Sequence, residues 1–300
     1  MGNARFDTTA YAAYASATTL RADGSRMSTN EIFTQRGIHE SLDPKKILFR
    51  ESRDSEANPN SRPIILGLDV TGSMGMIANE IANRELGNLM NDLIDKQTVA
   101  DPHIMFMGIG DAYCDRAPLQ VSQFEADIRI AEQLSLMYIE GGGGGNSFES
   151  YHIPWYFALN HTKIDSFEKR GVKGLLFTIG DEYPPDTLTV QEIAKTFGVS
   201  QASEINIRDL YKNVSEKWDV FHLIVEQGSF ARGRTREVYN RWYNVIKNRA
   251  IRLTDYTKLS TVIRAVIEVN EGKLPEDVIN DDPENRNVLV PALYGFTNQE

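Results

Sequence analysis

Asp69, Thr71 and Ser73 stand at alternate positions of one short segment, Leu68-Asp-Val-Thr-Gly-Ser-Met74. An extended turn can aim alternate side chains at one point, and Gly72 lets the backbone tighten between them. One carboxylate and two hydroxyls make a hard oxygen shell of low charge. Such a shell suits Mg²⁺, or Mn²⁺, holding several waters, better than it suits zinc. A cation short of protein ligands keeps a position open, which a carboxylate from another protein can fill. Two further polar stretches have a similar character. One is the glycine run 141–145 with Asn146, Ser147, Phe148 and Glu149; the other is Gly180-Asp181-Glu182.

These stretches need elements to carry them, and the apolar pattern supplies candidates. Residues 63–68 (Pro-Ile-Ile-Leu-Gly-Leu), 103–109, 174–179 and 220–225 are short, nearly continuous apolar runs, as strands buried on both faces of a parallel sheet require. Residues 250–253 read as a last short strand. Residues 118–124 alternate, which predicts a half-exposed, antiparallel edge strand. Between these runs, apolar residues recur at helical spacing over 76–94, where Ile77, Ile81, Leu89, Met90, Leu93 and Ile94 share a face. Helices are also expected over 125–136, 147–159, 190–196, 207–214, 236–245 and 256–269. Strands alternating with helices imply an α/β fold, a doubly wound and mostly parallel sheet with helices on both faces. In such sheets ligands bind at the carboxyl ends of the strands, where all three polar stretches fall. Residues 1–61 are too poor in apolar groups for a core and read as an N-terminal strap. Residues 62–272 form the α/β domain, and 273–300 a C-terminal tail.

In this order and on these strands, the loops resemble those of the von Willebrand factor A domain, and the resemblance covers roughly residues 62–270. Leu68-Asp-Val-Thr-Gly-Ser-Met74 resembles the Asp-x-Ser-x-Ser motif of that family's metal-ion-dependent adhesion site, with Thr71 at the middle position. Gly144-Gly145-Asn146-Ser147-Phe148-Glu149 resembles the second loop of bacterial and kinase-linked relatives, with Asn146 where Thr or Asp would stand. Asp181 matches the third loop, whose Asp usually reaches the metal through water. The resemblance implies a metal set of Asp69, Thr71, Ser73, Asn146 and Asp181 holding Mg²⁺. It also implies a non-catalytic module that binds a protein supplying an Asp or Glu. A further implication is work as target-recognition partner of an AAA+ ATPase of the MoxR kind.

A competing expectation is enzymatic. Asp69-Val-Thr-Gly-Ser73 also fits the Asp-x-(Asp/Thr)-Gly-(Thr/Ser) pattern of haloacid-dehalogenase-type phosphatases, with Asp69 as nucleophile. Lys169 or Lys173 would then have to serve the phosphate. Singly, each loop has a plainer role: Ser73 as a helix N-cap, the glycine run as a linker, Asp181 as a turn cap. His152 and His222 read as packing residues. Trp155, Tyr156, Phe157, Trp242 and Tyr243 read as core, and Arg232, Arg234 and Arg236 as a solvated face. A formal charge of −10 and a pI near 5.1 argue against nucleic acid and anionic membranes as partners. Cys114 is the only cysteine, so no internal disulfide forms, which fits a cytoplasmic protein.

Overall fold

The computed structural model describes residues 4–71, 74–96, 98–140 and 149–297. Its strands in chain order are β1 (Arg50–Ser52), β2 (Ser61–Asp69), β3 (Asp101–Ile109), β4 (Leu119–Val121), β5 (Thr162–Ile164), β6 (Gly174–Gly180), β7 (Thr187–Leu188), β8 (Ile205–Asn206), β9 (Trp218–Val225) and β10 (Ala250–Leu253). The central sheet runs β10-β9-β6-β2-β3-β4. All its neighbours are parallel except β3 and β4, so the run near 118–124 does form the antiparallel edge, but Leu119, Gln120 and Val121 are all buried and the strand is not half-exposed.

Both faces of the sheet are covered. Ile64, Leu66 and Leu68 of β2 point into one apolar layer with the helices Leu86–Asp95 and Leu259–Asn270, while Ile65 points into the other with helices His152–Asn160 and Thr235–Ile246. The period of two along a strand buried on both sides explains why β2 is almost wholly apolar. From β2 the chain winds outward through β3 to β4, then crosses to β6, β9 and β10 on the other side. The switch point therefore lies at the carboxyl ends of β2 and β6, which is where Asp69 and Asp181 stand.

Several elements depart from the sequence pattern. The helix expected from residue 125 begins at Arg129, because Glu125 instead pairs with Ile104 through both backbone bonds (2.8 and 3.0 Å). The expected 147–159 helix is His152–Asn160, and Pro154 falls in its first turn, where the absent N–H has no helical partner anyway. After the first loop the helix runs Gly75–Glu80, then Ile81–Glu85 as a π turn, then Leu86–Asp95. Tyr243, expected in the core, is 42% exposed. Beyond Gly272 the chain forms helices Pro275–Asn280 and Arg286–Thr297. Val278, Ile279, Val288, Leu289 and Leu293 are buried there against the domain, so the segment is no loose tail. Residues 8–19 also form a helix, and Tyr11 packs over Gly87, where any β-carbon would meet its ring. Further along, β1 pairs with β5, and Ser52 bonds His103 Nδ1 at 3.0 Å. Among the described residues no helix is long and apolar enough to cross a membrane.

Candidate metal-binding site

Asp69 closes β2 and is 1% exposed. Its Oδ1 accepts from the Thr71 amide at 3.0 Å and from Thr71 Oγ1 at 2.6 Å, so the carboxylate organises its own loop. Its Oδ2 accepts from the Tyr151 hydroxyl at 3.0 Å. The loop is tied down on two sides: Val70 donates to the Ile109 carbonyl, and Glu140 donates to the Val70 carbonyl. On the adjacent strand, Asp181 follows Gly180, and its Oδ2 accepts from the amides of Phe230 (2.7 Å) and Ala231 (3.4 Å). Gly228 packs so closely on Asp181 that a methyl group there would collide with the carboxyl. Ser73 and Asn146, with the glycine run, lie outside the described residues; Asp69, Thr71 and Asp181 are brought to the switch point.

Tyr151 is the residue that sequence reasoning missed. The hydroxyl end of its ring packs against Gly180, where a β-carbon would strike it. The hydroxyl reaches both Asp69 Oδ2 and, at 3.4 Å, the Glu182 amide, so one side chain bridges the first and third loops. Below it, His222 stacks on Trp242 (3.6 Å between centroids) and bonds Thr178 Oγ1 through Nδ1. Burial holds His222 well below its usual pKa, so it is a neutral support of the ring layer. Trp242 in turn donates to the Glu182 carbonyl at 2.9 Å. His152 is buried beside Glu192 at 3.3 Å, a packing role as expected. The only sequence hint of Tyr151 was Gly180 after an apolar strand, a sign of close approach by something unnamed.

Four carboxyl groups crowd together here. Burial, then the Asp181 charge, push Asp69 up to about 6 despite the bonds from Thr71 and Tyr151. Burial also raises Asp181. Glu182 rises to about 8 through burial and then the charges of Asp69 and Asp181. Glu149, 4% exposed, rises to about 10 through burial and then Asp69 and Glu182. Glu149 Oε2 and Glu182 Oε2 are buried with no hydrogen-bond partner among the described residues. Orphaned carboxylate oxygens that raise one another's pKa are what a bound cation relieves, so the residues present fit a divalent metal. Among the described residues no three His, Cys, Asp or Glu side chains are arranged to hold a metal by themselves.

The neighbouring loop after β3 is structural. Asp115 Oδ2 accepts the Asp111 amide at 2.7 Å, and Lys195 Nζ donates to the carbonyls of Ala112 and Asp115. The lysines needed by a phosphatase are misplaced. Lys169 Nζ is held by Asp165 at 2.6 Å, and Lys173 donates to the Ser215 carbonyl. Lys173 immediately precedes β6, whose amino end lies a strand's length, roughly 20 Å, from the carboxyl end where Asp69 stands.

The central sheet, its switch point and two polar loops on adjacent strand ends are now in place. This is the doubly wound, mostly parallel arrangement that the sequence pattern predicts. Compared by sequence, the chain matches no family profile and no curated protein. Compared by structure, it is similar to the pilus adhesin SpaC from Lactobacillus rhamnosus GG in its open conformation (10% identity, TM-score 0.47, 74% of this chain). It is also similar to proximal thread matrix protein 1 from the mussel byssus with a zinc-occupied MIDAS motif (13%, 0.41, 69%). A third is the conserved hypothetical protein BatB from Bacteroides thetaiotaomicron (13%, 0.38, 70% of this chain and 98% of that one). The chain spans 31% of the adhesin and 47% of the matrix protein.

Proposed function

We propose that the chain is a divalent-cation-dependent protein-binding module without catalytic chemistry of its own. Asp69, Thr71 and Ser73 would hold the ion, with Asn146 and Asp181 completing the set from the second and third loops. The bound cation would supply a Lewis-acidic position for a carboxylate of the partner. The chain's own residues do the rest: Tyr151 fixes the Asp69 carboxylate, the Phe230 and Ala231 amides fix Asp181, and the ring layer excludes water beneath them.

The observation that carries this reading is the crowding of carboxyl groups around Asp69, where Glu149 Oε2 and Glu182 Oε2 have no hydrogen-bond partner among the described residues. It also changes the character of the expected shell. Glu149 and Glu182 stand near, so the site is richer in carboxyl groups than one carboxylate and two hydroxyls suggest. Mg²⁺ and Mn²⁺ are the ions we favour, and a partner complex with a MoxR-type AAA+ ATPase inside the cell is the setting we favour.

The test is a melting curve with Mg²⁺, with Mn²⁺ and with EDTA, on wild type and Asp69→Ala. An ion that binds only the native state adds roughly 2.7 kcal/mol at a hundredfold excess over its Kd. Wild type should gain and Asp69→Ala should not. Superimposed wild-type curves in metal and chelator would refute the site.

A further inference from the structure

Beside Asp181 the chain builds a rim of two aromatic rings flanked by guanidinium groups. Arg241 lies over the Tyr183 ring at 3.9 Å, Tyr183 meets Phe230 edge to face at 4.9 Å, and Arg234 lies over Phe230 at 4.9 Å. The rim is fastened to the candidate metal site, since the Phe230 amide bonds Asp181 and Tyr183 stands two residues beyond it. Arg232 and Arg234 are exposed; each gives one N–H to a backbone carbonyl, of Gln227 (3.0 Å) and Phe230 (3.1 Å). Neither has a carboxylate partner among the described residues, although the chain holds 42 acidic against 32 basic side chains. Arg234, stacked on Phe230, has already lost much of its freedom, and its remaining N–H edge suits a planar carboxylate, with Arg232 exposed two residues before it; Arg241 is paired with Glu237 at 3.0 Å.

We propose that this rim reads acidic residues flanking the carboxylate that reaches the cation, so that the partner presents an acidic stretch of polypeptide and not an isolated Asp or Glu. The inference rests on the function proposed above and adds its specificity. Charge is divided across the site. The crowded carboxyl groups around Asp69 offer an acidic segment no favourable contact until a cation is bound, whereas Arg232 and Arg234 attract it at every step. Metal thus licenses binding, and the rim selects among acidic sequences and steers them in.

Two fluorescein-labelled octapeptides separate the parts: octaglutamate, and seven glutamines with one central glutamate. Anisotropy would be measured in millimolar Mg²⁺ with wild type, Arg232→Gln/Arg234→Gln and Asp69→Ala, each checked for folding by circular dichroism. The preference of wild type for octaglutamate should fall about fivefold to twentyfold in the double arginine variant, as the loss of two exposed charge pairs implies. That variant should keep its binding of the single-glutamate peptide and its Mg²⁺-induced melting shift, while Asp69→Ala loses both. An unchanged preference in the arginine variant would overturn the proposal. So would absent octaglutamate binding in a protein that Mg²⁺ still stabilises, or tighter binding of an eight-nucleotide thymidine strand. Octaglutamate binding that survives EDTA yet is lost in the arginine variant would uphold the rim and refute the metal reading beneath it.

Discussion

Replacing Asp69 by Asn should make the metal-free protein more stable. The folded carboxyl titrates near 6, against 3.8 when unperturbed, because burial and the Asp181 charge oppose ionisation. A carboxyl whose folded pKa is raised binds its proton more tightly in the native state. Its contribution is fully present below about pH 3.8 and is lost as pH rises through 6. Each unit is worth 1.36 kcal/mol, so roughly 3 kcal/mol has gone by pH 7.5. Asn cannot ionise and escapes this loss. It also keeps an oxygen for the Thr71 donors, while its amide can donate to the Tyr151 oxygen. In EDTA at pH 7.5 the variant should therefore exceed wild type by up to about 3 kcal/mol, on the order of 5–10 °C in Tm. Toward pH 4 the gap should close. Added Mg²⁺ should raise wild type and leave the variant unmoved. Urea unfolding at pH 4.5, 6 and 7.5, with chelator and with metal, reads all of this. An Asn variant less stable than wild type in EDTA, by the same margin at every pH, would refute the reasoning.

Gly228→Ala should push Asp181 off the Phe230 amide, costing about 1–3 kcal/mol through overpacking and weakening the Mg²⁺ response. Paired melting curves with and without metal check both parts. Tyr151→Phe removes the donor to Asp69 Oδ2, and metal affinity measured by calorimetry should fall roughly tenfold or more, the usual effect of losing an orienting partner. An unaltered Kd would show that Tyr151 only fills space. Burial holds His103 down at about 4 against 6.5. Stability contributed by its neutral form is complete above pH 6.5 and should fall by up to about 3 kcal/mol as pH drops through 4. His103→Gln should flatten that part of the acid-unfolding curve.

What the sequence could disclose was decided by how local each cause is. The strands β2, β3, β6 and β9 were legible because burial on both faces demands continuous apolar runs. Asp69, Thr71 and Asp181 were legible because a short loop at a strand's end brings residue type and position together. Tyr151 was not, because its role depends on Gly180 being near in space, and nothing near Tyr151 in sequence records that. Glu149 stood in view beside Asn146, but its burial among other carboxylates is a tertiary fact. The strand β1 is three residues long and gains its partner β5 more than a hundred residues away, so no periodicity could reveal it. The helix start at Arg129 shows the same limit: Glu125 pairs with Ile104, and a long-range ladder contact overrides local propensity.

The two ends of the glycine-bearing second loop are fastened independently. On one side the Glu140 amide bonds Val70, and its Oε2 accepts the Arg116 and Ala117 amides; on the other, Ser150 Oγ accepts the Ala112 amide. Residues 141–148 join these posts, and neither post depends on which side chains they carry. Closing a longer segment between fixed posts costs only about 0.6 kcal/mol per doubling of its length. On the function proposed above, a lineage can trade Asn146 for a charged or hydroxyl residue and retune ion affinity while both posts and the Tyr151 bridge stay where they are.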